Sequence, residues 1–312
     1  MELNLCRLAF RGALHVGERQ DMLDESMGHI PSDTLCAAVF AAWRLLYGEG
    51  SLVILLRRLE KGERPFALTS AFPYEGADLF FPCPRHVSAD NRSWLTLRSF
   101  EKVLSGETRN GDHVEKRRLD HWLHHATRAS VGRAGDGRQR SAGGLFGVGR
   151  ICPPPDGGFY FLARFEDKKV RDRIFSAMRL LADEGIGGER SVGHGLFKYP
   201  AWETLELGRE VREPSHRVLL SLYYPGSQTE AERLADGYYR LVDRRGYIHS
   251  PDAGIPLRWR PVRMAAEGAV LAGVDDVSGS LVEVTPGAFK KAHKVFRAGM
   301  ALSLPIRIPP ES

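Results

Sequence analysis

The sequence predicts an α+β protein built as two tandem halves, and three observations carry that expectation. Runs that alternate apolar and polar residues mark strands, and two apolar stripes at helical spacing mark helices. The chain has 312 residues, enough for two domains of about 150 residues each. Its 43% hydrophobic residues can fill a core in both.

The elements follow in order. Glu2 to Phe10 reads as a strand: Leu3 and Leu5 alternate with Glu2 and Asn4, then Cys6, Leu8 and Phe10 take over the apolar parity. Such a phase switch predicts either a bulge or a strand buried on both faces. Arg11 to Gly28 is polar and glycine-punctuated, a long loop. Pro31 then precedes Ser32, a good N-cap, with Asp33 in the first turn, where a negative charge suits the helix dipole. Leu35, Val39, Ala42 and Leu46 form a helical stripe that Gly48 stops. Phe66 to Phe72 reads as a second strand. From Arg85 to Arg150 the periodicity fades, and this stretch carries thirteen Arg or Lys against seven Asp or Glu. Phe159 to Phe165 is a strand. Lys168 to Glu184 is an amphipathic helix with Ile174, Ala177, Met178 and Leu181 on one face and Gly185 as C-cap. Gly195 to Tyr199 reads as a short strand.

The first half is therefore β, α, β, long insertion, β, α, glycine loop, β, the order of a ferredoxin-like (RRM-like) split βαβ domain. The second half offers strands at Arg217 to Tyr224, Tyr238 to Tyr247, Leu257 to Met264 and Leu281 to Val284, and a helix between Gln228 and Ala235. It is expected to be a degenerate second copy. The predicted domains are 1–200, with a basic insertion at about 85–150 and the glycine-rich loop 185–195, and 201–312.

Charge and cysteines narrow the function classes. A net charge of +5 and a pI near 9.1 suit a polyanionic partner without requiring one. Cys6, Cys36, Cys83 and Cys152 form no C-x-x-C pair, so neither a zinc ribbon nor a redox motif is written here. Reduced, mostly buried thiols in a cytoplasmic protein are expected. Met1 to Asn4 lacks the basic start and apolar run of a signal peptide. The longest apolar run, Leu35 to Trp43, is ended by Arg44 and is too short for a bilayer, which needs about 20 residues. No cofactor, metal or membrane partner is expected.

Gly185-Ile186-Gly187-Gly188-Glu189-Arg190-Ser191-Val192-Gly193-His194-Gly195 carries five glycines in eleven residues. Glycine permits positive φ and close backbone approach. Such a turn can aim several N–H groups at phosphate oxygens, to which Arg190 adds a charged fork and Ser191 a hydroxyl. No G-K-[ST] follows, so this is not a P-loop. The glycines follow a helix rather than preceding one, so it is not a dinucleotide fingerprint. The plain alternative is a surface loop. A second basic feature spans Arg128, Arg133, Arg138, Arg140 and Arg150. Ala129-Ser130-Val131 before Gly135-Asp136-Gly137 could be one arm of an arginine-bearing hairpin that grips an RNA backbone. Composition fits a solvated insertion equally well. His15, His29 and His194 could gather on one side of the sheet, and a histidine pair is what a metal-independent ribonuclease needs as base and acid. His121, His124 and His125 are placed on one helical segment, with no acid or cysteine to complete a metal set.

Four stretches along nearly the whole chain carry a resemblance. They are Ile30-Pro31-Ser32-Asp33-Thr34-Leu35; Phe72-Pro73-Tyr74 through Leu79-Phe80-Phe81-Pro82; Gly185 to Gly195, running on to Leu196-Phe197; and Leu220-Ser221-Leu222-Tyr223-Tyr224-Pro225 with the tail His293 to Gly299. Together they resemble the RAMP protein that is the fourth subunit of the type III-A CRISPR (Csm) complex. The resemblance implies two packed ferredoxin-like domains and a non-catalytic subunit that holds the repeat-derived 5′ tag of the guide RNA. It implies contact with the large polymerase-like subunit and the backbone RAMP subunit, with target RNA nearby. It carries tag binding to Gly187, Gly188, Arg190, Ser191, Gly193 and His194, flanked by His15, Gly17 and Ser32. It carries a wedge hairpin to Arg128, Ser130 and Arg133, although Gly132 to Gly137 is more glycine-rich than a stiff wedge should be. The first sheet is expected to be the platform on which bases lie. The alternative is a RAMP-type endoribonuclease that processes guide precursor.

Overall fold

Strand β1 (Glu2–Leu8) resolves the parity switch. Leu3 and Leu5 pack into a core on one face, and Cys6 and Leu8 into a core on the other. Its register is continuous with both neighbours, Glu2 to Cys6 lying opposite Glu206 to Trp202 and Asn4 to Leu8 opposite Ala163 to Phe159. The switch thus marks a strand buried on both faces. The computed structural model describes residues 1–17, 26–88, 90, 93–108, 116–129, 145–248, 257–289 and 292–309.

After β1 come helix α1 (Ser32–Glu60), β2 (Phe66–Leu68), β3 (Phe72–Glu75), β4 (Asp78–Pro82), β5 (Trp94–Thr96), α2 (Leu97–Ser105) and β6 (Lys116–Arg117). The hairpin β7 (Leu123–Ala129) and β8 (Leu145–Ile151) follows, then β9 (Gly157–Phe165), α3 (Lys168–Glu184) and β10 (Trp202–Glu206). The rest contains β11 (His216–Leu219), α4 (Gln228–Ala235), β12 (Leu241–Arg244), β13 (Val262–Ala265), β14 (Val270–Ala272), β15 (Gly279–Glu283), β16 (Phe296–Met300) and β17 (Ser303–Ile306).

The large sheet has the order β10-β1-β9-β3-β4-β5-β6, with β2 also on β9, and every pairing is antiparallel. Helices α1 and α3 cover one face. Leu35, Val39, Trp43, Ile174 and Met178 pack there against Phe159 and Phe161. The other face meets the second half: Leu3, Leu5, Tyr160 and Leu162 share one core with Val218, Leu304 and Phe100 of α2. Helix α3 forms where expected because Asp167 caps it, accepting from the amides of Lys169 and Val170, and Gly185 ends it at φ 80°.

Several expectations need correction. β10 lies beyond residue 200 yet pairs with β1, so the first unit extends at least to Glu206. Glycine 48 breaks α1 at φ 79°, ψ 164°, but the chain resumes a helix to Glu60. By length and composition α1 could cross a membrane, longer than the run that Arg44 interrupts. Here it is broken, and Leu35, Val39, Trp43, Leu55 and Leu59 are buried in the protein, whereas Leu46 is exposed. Ser32 does not cap it, for Pro31 holds the N-cap position. Phe66 to Phe72 splits into β2 and β3, and Gly195 to Tyr199 gives a single bridge, Phe197 to Phe10. His121 lies in a 3₁₀ turn while His124 and His125 belong to β7, so they share no helix. The described strands of the second half form separate sheets, β14-β11-β17, β12-β13 and β15-β16, rather than one.

Candidate nucleic-acid interface

Residues 9–17 act as a spine that ties the glycine stretch to the base of the β7–β8 hairpin. On one side, Lys198 N donates to Ala9 O at 2.9 Å, Arg11 N to Leu196 O at 2.8 Å, Gly195 N to Ala13 O at 2.9 Å and Gly188 N to His15 O at 2.9 Å. On the other side, Leu14 and Ile151 exchange two backbone bonds of 2.9 and 2.7 Å. His15 Nδ1 lies 2.6 Å from Gly149 O. A carbonyl only accepts, so Nδ1 carries the proton. Trp122, just before the hairpin, packs edge-on against Phe159 at 5.8 Å and fixes its root to the sheet.

Two glycines are required by this closure. Gly187 has φ 92°, and a Cβ there would stand 2.4 Å from His15 O. Gly195 has φ 79°, and its Cβ would stand 2.1 Å from Ile186 O. The loop's backbone is largely consumed by its own fold: the amides of Gly185, Ile186, Gly188, Val192, Gly193, His194 and Gly195 all bond within the protein. Among the described residues, the amides of Gly187, Arg190 and Ser191 make no such bond. Arg190 to Val192 is a short 3₁₀ turn entered through Glu189 at φ 56° and left through Gly193 at φ 86°. Arg190, Ser191 and Gly193 are exposed there, while His194 and His15 are buried. Arg11, exposed beside this turn's anchor, keeps an ion pair with Asp183 at 3.7 Å.

The structure thus brings together His15, Gly187, Gly188, Arg190, Ser191, Gly193 and His194, with Gly17 at the end of the spine. Arg128 lies in β7 opposite Phe146, and the two-stranded hairpin exposes both His124 and His125. Ser130 and Arg133 lie outside the described residues. Ser32 stands apart. Its hydroxyl accepts from Leu222 N at 3.0 Å, its amide donates to Ser70 Oγ at 2.8 Å, and it is 2% exposed. It welds the halves and presents no group to a surface ligand. His29 also leaves the group, packing against Trp94 and lying 3.4 Å from Glu267.

The sheet face offers no platform. Tyr160 is fully buried, its hydroxyl donating to Phe80 O at 2.9 Å, and β11 and β17 cover its neighbours. Exposed aromatic surface lies in loops instead, at Tyr199, Tyr224, Tyr238 and Tyr239 among the described residues. One set that sequence reading missed is Arg85 with Tyr238, Tyr239 and Arg240, which line a cleft of about 480 Å³ between the halves. The signal was an adjacent Tyr-Tyr-Arg just after a helix and a glycine, which strand propensity concealed.

Comparison with known proteins agrees with this architecture. Residues 212–306 match the family described as CRISPR Csm4 C-terminal domain. The CRISPR system Cms protein Csm4 of Thermococcus onnurineus is 24% identical over 297 residues, spanning 89% of this chain and 92% of that protein. The Methanocaldococcus jannaschii protein of the same description is 25% identical over 169 residues, spanning 47% of this chain and 43% of the relative, so that alignment covers under half of either. A chain from the crystal structure of a Csm3–Csm4 subcomplex of the type III-A CRISPR-Cas interference complex superimposes with TM-score 0.65, at 17% identity and over 98% of this chain and 100% of that one. A chain from a Csm1–Csm4 cassette crystallised with pppApA gives 0.63 at 17% identity, with 100% of both covered. Residues 212–306 thus match a Csm4 domain, two Csm4 relatives align at about a quarter identity, and the whole chain shares the fold of solved Csm4 chains.

Proposed function

We propose that this chain is the non-catalytic subunit of a type III-A CRISPR ribonucleoprotein that holds the repeat-derived 5′ tag of the guide RNA, in the cytoplasm. The observation that carries the reading is the junction of spine, glycine stretch and hairpin. It sets exposed Arg190 and Ser191 beside two uncommitted backbone amides of its own turn and next to a basic hairpin. Single-stranded RNA is gripped this way, by basic side chains and amides on phosphates. Gly187, Gly188, Gly193 and His194 shape the turn, His15 holds it with Gly17 two residues on, and the wedge that would meet the guide where target RNA pairs is assigned to Arg128, Ser130 and Arg133. The order β10-β1-β9-β3, with α1 and α3 on one face, supports a ferredoxin-like first domain, and the second half is read as a degenerate partner domain. Subcomplexes of relatives with Csm1 and with Csm3 support contacts to the large polymerase-like subunit and to the backbone RAMP subunit.

A non-catalytic role fits the histidines. His15 and His194 are both buried, and His29 is engaged elsewhere. In a filter-binding titration with tag RNA, Arg190→Ala should cost about 1–3 kcal/mol, as loss of a charge-assisted phosphate bond does. Unchanged affinity would remove Arg190 from the site. Incubation with repeat RNA in EDTA should leave the RNA whole, and single-site cleavage lost in His15→Ala would establish the ribonuclease instead.

A further inference from the structure

The cleft between the halves has the chemistry of a second, separate ligand site. Its cationic wall comes from both sides of the molecule. Arg85 follows β4, and its amide donates to Gly268 O at 2.8 Å, which pins it against the second half. Arg240 lies between α4 and β12, with its carbonyl accepting from Ala266 N at 2.9 Å. Burial first, and then the like charge of Arg240, hold Arg85 below the ordinary guanidinium range. Two guanidinium groups are therefore close enough to feel each other's charge, with Glu267 and Asp90 partly offsetting the repulsion at Arg85. Arg240 Nε is buried and makes no hydrogen bond among the described residues.

The aromatic wall is equally fixed. Tyr238 exchanges two backbone bonds with Val270, of 2.9 and 2.8 Å. Gly237 permits that approach, since a Cβ there would stand 2.0 Å from Val270 O. With their backbone held, Tyr238 and Tyr239 remain 41% and 43% exposed, an unusual outlay of aromatic surface for side chains that could have packed inward. His86 backs Tyr238, ring centroids 6.0 Å apart, and is itself buried. The cleft of about 480 Å³ is lined by Arg85, Gly237, Tyr238, Tyr239 and Arg240, with no carboxylate in that lining among the described residues. Arg85 and Arg240 also line a smaller inner cavity of about 30 Å³ together with Glu267 and Asp90, which are bonded to Ser70 and His29 and to Ser93 respectively.

Paired guanidinium groups select a phosphate, and exposed tyrosine rings select a flat heterocycle. The volume falls within the few hundred Å³ of small-molecule sites. We propose that this cleft binds a nucleoside phosphate, with the phosphate on Arg240 and Arg85 and the base against Tyr238 or Tyr239. The ligand is either one residue of a single-stranded RNA or a free mononucleotide. The site lies apart from the glycine-stretch junction and does not depend on the tag-holding reading.

The test uses the full chain with two probes: AMP by calorimetry, and a short single-stranded RNA carrying 4-thiouridine, cross-linked and mapped by mass spectrometry. Saturable AMP binding that falls at least about tenfold in Arg240→Ala supports a free-nucleotide site. A cross-link on the peptide containing Tyr238 and Tyr239, lost in Tyr239→Leu, supports a residue of RNA. Tyr239 is exposed, so Tyr239→Leu keeps the test decisive if Arg240→Ala fails to fold. No AMP binding together with no cross-link at these tyrosines, or binding unchanged in both variants, overturns the proposal. Arg190→Ala separates the two readings. If it alone reduces RNA binding while Tyr239→Leu does not, and AMP does not bind, this cleft is sunk and the tag site stands.

Discussion

Asp33 is fully buried at the start of α1, and two arginines of the second half are turned onto it. Arg244 reaches its carboxylate at 2.9 and 3.1 Å, and Arg297 stands at 3.8 Å while its guanidinium covers the Trp259 ring at 4.3 Å. Burial alone would raise this carboxyl's pKa, yet the attraction of Arg244 and Arg297 wins and holds it below the usual aspartate range. Removing a single member of a buried pair leaves the other charge stranded, so Asp33→Asn should cost about 3–5 kcal/mol in urea unfolding. The sign with pH follows. Because the native pKa is depressed, this stability is complete above the ordinary aspartate value of about 3.9 and is lost as pH falls through the lower native value. Wild type and variant should therefore converge in stability under acid, and a constant gap between them down to the lowest pH would contradict the assignment. At the sequence level Asp33 was legible only as a charge suited to a helix dipole. Its partner lies 211 residues away, and no local pattern points to it.

Elements show the same divide between local and distant causes. α3 and α4 were readable to the residue, since caps at Asp167 and Ser227 and apolar stripes are local signals. α2 carried such a signal too, Thr96 accepting from Ser99 N and Gly106 in the left-handed region, but the surrounding charge obscured it. β17 escaped because it contains Pro305, tolerated because β17 is an edge of its sheet. The broken helix α1 offers a paired test. Nothing lies within 4 Å of a methyl added at Gly48 or at Gly50, but only Gly48 has positive φ. Gly48→Ala should destabilise by about 1–3 kcal/mol through backbone strain alone. Gly50→Ala should stabilise by about 0.5–1 kcal/mol. Equal thermal midpoints for the two variants would show that the break is not held by the backbone of Gly48. The glycine stretch was read correctly as a place of close backbone approach. Its direction was not legible, because the partner backbone at His15 and Ala13 comes from the opposite end of the domain.

At the scale of the molecule, the two halves share one interior. Leu3 and Tyr160 pack with Val218 and Leu304, Ser70 N donates to Leu220 O at 2.9 Å, and Arg217 and Arg164 both reach Asp276 at 2.9 Å. Independent domains would leave an interface that opens first. Here the chain should unfold as one unit, so tryptophan fluorescence and far-UV circular dichroism should trace a single coincident urea transition. Two separated transitions would mean that the ionic contacts, rather than the common core, hold the halves together. The shared interior is also why the use expected of the first sheet was misjudged. Period-two alternation reports that a face is buried, not what buries it, and the face expected to meet RNA is buried by protein.

The pairing of Glu2 with Glu206 has a consequence for synthesis. The first strand leaves the ribosome long before either neighbour exists, since β9 ends at Phe165 and β10 at Glu206. At roughly 5–20 residues per second, the nascent chain carries an apolar strand with two open edges for about 8–30 seconds, and with one of its partners still missing for about 10–40 seconds. Whatever shelters that segment during translation, chaperone or early collapse onto α1, governs how much of the protein reaches its native state.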